Sequence, residues 1–122
     1  MTEALTWIGV LVCGGLGSLL RFTVDKAVSK RARRAFPFGT LAVNISGALL
    51  LGFVASLALN PHVALLAGTS FVGAYTTFST WMLETQRLAE ERQIAAALAN
   101  ILVSLVLGIA AALLGQTIAG LL

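Results

Sequence analysis

Residues 68–84 read GTSFVGAYTTFSTWMLE. The stretch is apolar enough to lie in a membrane, yet six hydroxyl side chains (Thr69, Ser70, Thr76, Thr77, Ser79, Thr80) fall within twelve residues. Two glycines and four aromatics accompany them, and no charge appears before Glu84. Gly73 and the Thr76-Thr77 pair are poor helix interior, since glycine costs backbone entropy and threonine loses rotamer freedom against the preceding turn. Together they predict a helix broken in the middle of a membrane. Backbone groups freed at that depth need partners from protein or enclosed water. The stretch therefore marks a site.

The rest of the chain agrees with a membrane setting. Of 122 residues, 58% are hydrophobic and only 11% charged, with a mean hydropathy of +0.95. A soluble domain of this size needs a polar shell that such a composition cannot supply. A spanning helix needs about 20 mostly apolar residues, and four windows fit: residues 5–24, 40–59, 63–83 and 94–114. The expectation is an all-α integral membrane protein, one four-helix domain over residues 1–122, with the third helix broken. Glu3 stands where a cleavable signal would be basic, so the first window reads as a retained span.

All eight Lys/Arg residues fall on one side of this topology: Arg21 closes span one, Lys26, Lys30, Arg31, Arg33 and Arg34 follow it, and Arg87 and Arg92 sit between spans three and four. The positive-inside rule then places both charged loops in the cytoplasm and both termini outside, in a cell inner (plasma) membrane. Orientation is the primary reading of the basic cluster and attraction to membrane lipid a secondary one. The cluster lacks the interleaved aromatics of a nucleic-acid site, so no nucleic-acid partner is expected.

Small residues recur in every span, as in Ala48/Gly52, Ser104/Gly108 and Ala111/Gly115. In lipid such positions mark close helix contacts, within or between subunits. Four short helices enclose little by themselves, so oligomerisation follows. Arg21 and Asn44 are polar groups at or near membrane depth and are candidates for function. Asn100 and Ser104 share one face of span four at i, i+4. In span three, carbonyls exposed at a break can bind a cation. The hydroxyls of Ser79 and Thr80 can donate to an anion, as can the Trp81 indole N–H, and Phe78 and Trp81 can present positive ring edges.

Absences narrow the field. No Asp or Glu lies in the middle of a span, which disfavours a proton-coupled carboxylate carrier and an acidic cation pore. Cys13 is the sole cysteine, and no phosphate loop, zinc spacing or nucleophile–base set is found, so no enzyme is expected.

With these residues in hand, the sequence resembles the Fluc/CrcB fluoride channel family. Three segments carry the likeness: GGLGSLLR at 14–21, GTLAVNISGALLLGF at 39–53 and GAYTTFSTWMLE at 73–84. The resemblance implies an antiparallel dual-topology dimer with two fluoride pores, each lined by both subunits. It assigns the pore rings to Phe78 and Trp81, where Phe is usual at the second position. It assigns pore-lining polar groups to Asn44, Ser79, Thr80 and Ser104, and places Arg21 and Glu84 at the pore mouth or vestibule. A structural Na⁺ at the dimer centre would be held by the backbone carbonyls of Gly73 and Thr76. Tyr75 stands where a smaller residue is usual.

The implied function is a fluoride-selective channel that passively exports cytoplasmic fluoride and so reduces its toxicity. The strong Lys/Arg bias is unexpected in a chain that must insert both ways, so an oppositely biased paralogue is the expected second subunit, with a homodimer as the alternative. Another reading is a small multidrug-type four-helix exporter, which depends on an acidic residue inside span one. This span has none.

Overall fold

The computed structural model describes residues 2–32 and 35–122. Arg33 and Arg34 of the basic cluster lie outside the described residues. Helix α1 (Glu3–Ala32) is 30 residues long, or roughly 45 Å at the usual helical rise, against a hydrocarbon core of about 30 Å. It does not end at residue 24, because its polar continuation makes its own local contacts. The Ser29 hydroxyl donates to Asp25 Oδ1 at 3.2 Å, and the Lys26 ammonium sits 5.4 Å above the Phe22 ring. Lys30 and Arg31 occupy the last turn, where cations suit the helix dipole.

Helix α2 (Phe38–Ala55) ends four residues before the expected limit of 59 and is followed by Ala58 at a φ of 53°. Asn60 then starts the third helical segment by capping α3 (Pro61–Ala64): its side chain accepts from the His62 N–H at 2.9 Å. Pro61 fits the first helical position, where no amide is needed. The segment continues as a π-helical stretch (Leu65–Val72), helix α4 (Gly73–Tyr75), a break, and helix α5 (Ser79–Glu90). Helix α6 (Ile94–Gly120) completes the chain and outruns the expected 114.

The break lies slightly later than Gly73. That glycine keeps helical angles (φ −59°, ψ −40°), whereas Thr76 turns extended (φ −79°, ψ 161°). The wide π turns before it were not foreseen. They occur where this segment meets α1: the Ser70 hydroxyl donates to the Val10 carbonyl, and a Cβ on Gly17 would run into the Phe71 carbonyl. Three helices, α1, α2 and α6, are individually long and apolar enough to cross a membrane. The third apolar window of the sequence falls on the shorter pieces on either side of the break.

Helix α2 is central, packing mainly on α6 and also against α1 and the broken third segment, while α5 packs on α6. The α2–α6 approach is backbone to backbone. A Cβ on Gly52 would strike the Ala112 carbonyl, and one on Gly115 would strike the Leu49 carbonyl. The buried apolar residues are few and mostly small or medium, including Val43, Val72, Ala97 and Ala111. Large side chains such as Leu11 and Val106 point outward, as expected where lipid or another subunit replaces water.

Candidate functional site

The break is built by two side chains that take amides away from the helix. In an unbroken helix the Thr77 N–H would donate to the Gly73 carbonyl four residues earlier. It donates instead to Asn44 Oδ1 at 2.9 Å, and Asn44 Nδ2 returns a bond to the Thr77 carbonyl at 2.9 Å. The Thr80 N–H, which would cover the Thr76 carbonyl, donates to Thr77 Oγ1 at 3.3 Å. Two carbonyls three residues apart, Gly73 and Thr76, thereby lose their helical donors. Thr76 O accepts one long bond, 3.4 Å from Arg21 Nη1. Among the described residues no hydrogen bond reaches Gly73 O.

These carbonyls sit at the C-terminal end of α4, where carbonyl dipoles concentrate partial negative charge. Hard oxygen donors of this kind fit an alkali cation. Gly73 is exposed within the single chain, so donors from another molecule have access to the same place. Among the described residues no cluster of His, Cys, Asp or Glu offers an alternative metal site.

Beyond the break stand the two rings. Phe78 and Trp81 meet edge to face, with centroids 5.7 Å apart and planes at 82°. Phe78 is 70% exposed, so one side of the ring pair is open to another molecule. Trp81 is half-buried and lines two grooves of about 290 Å³ each. One also contains Asn44 and Ser104; the other contains Asn44, Thr76, Thr77 and Phe78. The Ser104 hydroxyl is buried without a hydrogen-bond partner. The indole N–H expected as an anion donor is already committed: it donates to the Asn100 backbone carbonyl at 3.1 Å. That expectation is corrected, and Trp81 has only its ring edge to offer.

Of the remaining hydroxyls, Thr80 shares a 3.1 Å hydrogen bond with Thr77, while Ser79 is exposed. A cavity of about 200 Å³ lies on the other side of the break, lined by Ser18, Arg21, Asp25, Thr40, Thr77 and Thr80. Thr40 is 2% exposed, and its hydroxyl faces Glu84 without a hydrogen bond of good geometry among the described residues. Beside it lies Glu84, just beyond the third span, with one buried carboxylate oxygen also unpartnered. Burial pushes the Glu84 carboxyl above the usual carboxylate range and the Asp25 charge adds to this, while the Thr40 hydroxyl and Arg87 pull it back.

A raised carboxyl pKa means that the folded protein holds the proton more tightly than the unfolded chain. Stability should therefore fall as pH rises from the unfolded pKa through the folded one. Thermal unfolding across this acidic range should show that decline in the parent protein. Glu84→Gln should flatten it, and an unaltered slope would remove Glu84 as its source.

A family model described as CrcB-like protein, Camphor Resistance (CrcB), matches residues 8–116. The chain belongs to the CrcB family. It is 71% identical over 113 residues to a protein of Mycobacterium tuberculosis named Fluoride-specific ion channel FluC 2, covering 93% of this chain and 90% of the relative. The FluC 2 of Mycolicibacterium paratuberculosis is 68% identical over 121 residues, 99% of both chains. The FluC 1 of Leifsonia xyli subsp. xyli is 42% identical over 118 residues, covering 93% and 86%.

On this CrcB fold, Asn44, Thr76, Phe78, Trp81 and Ser104 gather around the break and its two grooves, while Thr80 lines the cavity on the other side. Arg21 and Glu84 lie toward the other side, linked through the Thr40 region. Sequence named Tyr75 as a departure without a role, and named neither its partner Ser46 nor Thr85. Tyr75, 3% exposed, shares a 2.8 Å hydrogen bond with Ser46 and so clamps α4 to α2. Thr85 joins Asn100 to the α5 backbone. The signal for Tyr75 was its phenol, which needs a partner when buried, but nothing in the spacing named Ser46.

Proposed function

We propose that this CrcB-family chain is a fluoride-selective channel that passively carries cytoplasmic fluoride out across the cell inner membrane. The observation carrying this reading is the broken third segment, where ring edges and hydroxyls line grooves and no carboxylate lies in the middle of a span. An anion passing there meets the edges of Phe78 and Trp81, the Ser104 hydroxyl and the Asn44 amide, with Ser79 and Thr80 along the same path. Such donors replace part of a small anion's hydration without a fixed opposite charge that would trap it. Arg21 raises the local anion concentration at the vestibule, and Glu84 lines its far side. The fluoride-channel names of relatives up to 71% identical support the assignment.

The active unit is an antiparallel dimer. The exposed Phe78 ring and the open grooves beside Trp81 are half-sites that a second subunit covers. The bias of all Lys/Arg to one side favours an oppositely biased paralogue as that subunit. Both charged loops face the cytoplasm and both termini face outside. The freed carbonyls of Gly73 and Thr76 hold a structural Na⁺ between subunits, where it joins the two breaks rather than moving with the anion.

Fluoride efflux from liposomes containing the purified protein, with chloride as control, tests the function. Fluoride flux without matching chloride flux is the expected result; equal flux of both ions, or none, would defeat the reading. Preparing the protein with a large organic cation in place of sodium should weaken assembly and lower flux together. Co-expression with a paralogue, analysed by cross-linking, separates the heterodimer from a self-paired form.

A further inference from the structure

The Trp81 indole is tied on two sides to a single residue of α6. Its N–H donates to the Asn100 carbonyl at 3.1 Å, while Asn100 Nδ2 donates to Thr85 Oγ1 at 2.8 Å and approaches the Trp81 carbonyl at 3.5 Å. The Thr85 hydroxyl closes the loop by donating to that same Trp81 carbonyl at 2.8 Å. The Asn100 backbone carbonyl thus holds the ring tip, while the Asn100 side chain holds the Trp81–Thr85 turn of α5 in place against that carbonyl. We propose that Asn100 is a positioning residue for the second pore ring, fixing the angle at which the Trp81 edge faces the anion path. The proposal rests on the channel reading above.

Three observations point to positioning rather than to plain helix adhesion. Asn100 is 1% exposed, yet its Oδ1 has no partner. A residue there only to stabilise the α5–α6 contact would do as well with an apolar isostere, which leaves nothing unsatisfied. Second, the anchored ring lines both grooves, so its rotation changes the width of each. Third, an indole is bulkier than the phenyl ring usual at this position and has a polar tip. Within a span that tip must be satisfied or the ring turns to find an acceptor. The Asn100 carbonyl supplies the acceptor at one angle, leaving the anion the C–H edge.

The consequence is a dependence peculiar to tryptophan. Asn100→Leu keeps the backbone carbonyl that accepts the indole N–H but removes the Nδ2 bonds that hold α5 in place against it. It should lower fluoride flux about tenfold in the parent protein but less than about twofold beside Trp81→Phe, where no ring N–H depends on the place of that carbonyl; coupling of this size is ordinary for contacting residues. Thr85→Val, which keeps volume and removes the hydroxyl, should act in the same direction. A spectroscopic arm reads the clasp without flux. The chain has two tryptophans, so Trp7→Phe leaves Trp81 as sole emitter, and Asn100→Leu should then shift its emission and loosen its anisotropy. An equal flux loss in both ring backgrounds, or unchanged Trp81 emission, overturns the proposal. If the parent protein carries no fluoride, the channel reading fails, while the Trp81 emission still decides whether Asn100 holds the ring.

Discussion

Asn44→Asp is expected to reduce fluoride flux by roughly a hundredfold or more, the largest effect of any single side-chain change in the pore. Asparagine is the one residue of its size that can both accept from the Thr77 N–H and donate to the Thr77 carbonyl, as it does at 2.9 Å each way. Ionised aspartate keeps the acceptor and turns the donor into a second oxygen facing that carbonyl. An unsatisfied buried group costs about 1–3 kcal/mol, and a carboxylate at membrane depth about 2.5–3.5 kcal/mol on insertion scales. The charge also repels the permeating anion from the grooves that Asn44 lines. Both consequences reduce flux, through different properties of the substitution. Asn44→Ala loses the bonds without adding charge and should fall between Asp and the parent. Liposome efflux beside a thermal unfolding curve separates them, and an aspartate variant conducting within twofold of the parent would remove Asn44 from the site.

This dependence explains why the break could be read from sequence while its construction could not. Residues 73–80 combine glycine, paired threonines and aromatics in an apolar span, a local conflict visible without coordinates. The agents that resolve the conflict lie elsewhere in the chain. Asn44 is more than thirty residues away, and nothing in its spacing shows that it would take the amide of Thr77 in particular. The same limit applies to Trp81. Its N–H was legible as a donor, but the acceptor is a backbone carbonyl of α6, and any residue type can provide that group. Helix ends were misjudged for a different reason. Hydropathy reports where apolar sequence stops, whereas α1 continues through Asp25 and Lys26 because i, i+4 contacts sustain it outside the apolar window.

Gly115→Leu should prevent the protein from reaching its folded, assembled state, because no side chain can enter that crossing without separating α2 from α6. The two helices touch through glycine in both directions: Gly115 lies on the Leu49 carbonyl and Gly52 on the Ala112 carbonyl. A rotamer change would not relieve the clash, since the opposing atoms are backbone. Overpacking at a contact that can yield costs about 1–3 kcal/mol, and this one has less room to yield. The damage would also reach the pore. Asn44 and Ser104 line the same groove from α2 and α6, so spreading the crossing widens the space beside Trp81. Gly120→Leu is the matched control in the same helix, as nothing lies within 4 Å of a Cβ there. Size-exclusion profiles and thermal unfolding in detergent should show loss of the assembled peak and a lower midpoint for Gly115→Leu, with Gly120→Leu near the parent. If Gly115→Leu assembles and unfolds like the parent, the α2–α6 approach is looser than these backbone contacts require. The graded series Gly115→Ala and Gly115→Leu would then measure how far the helices can part before fluoride selectivity over chloride is lost.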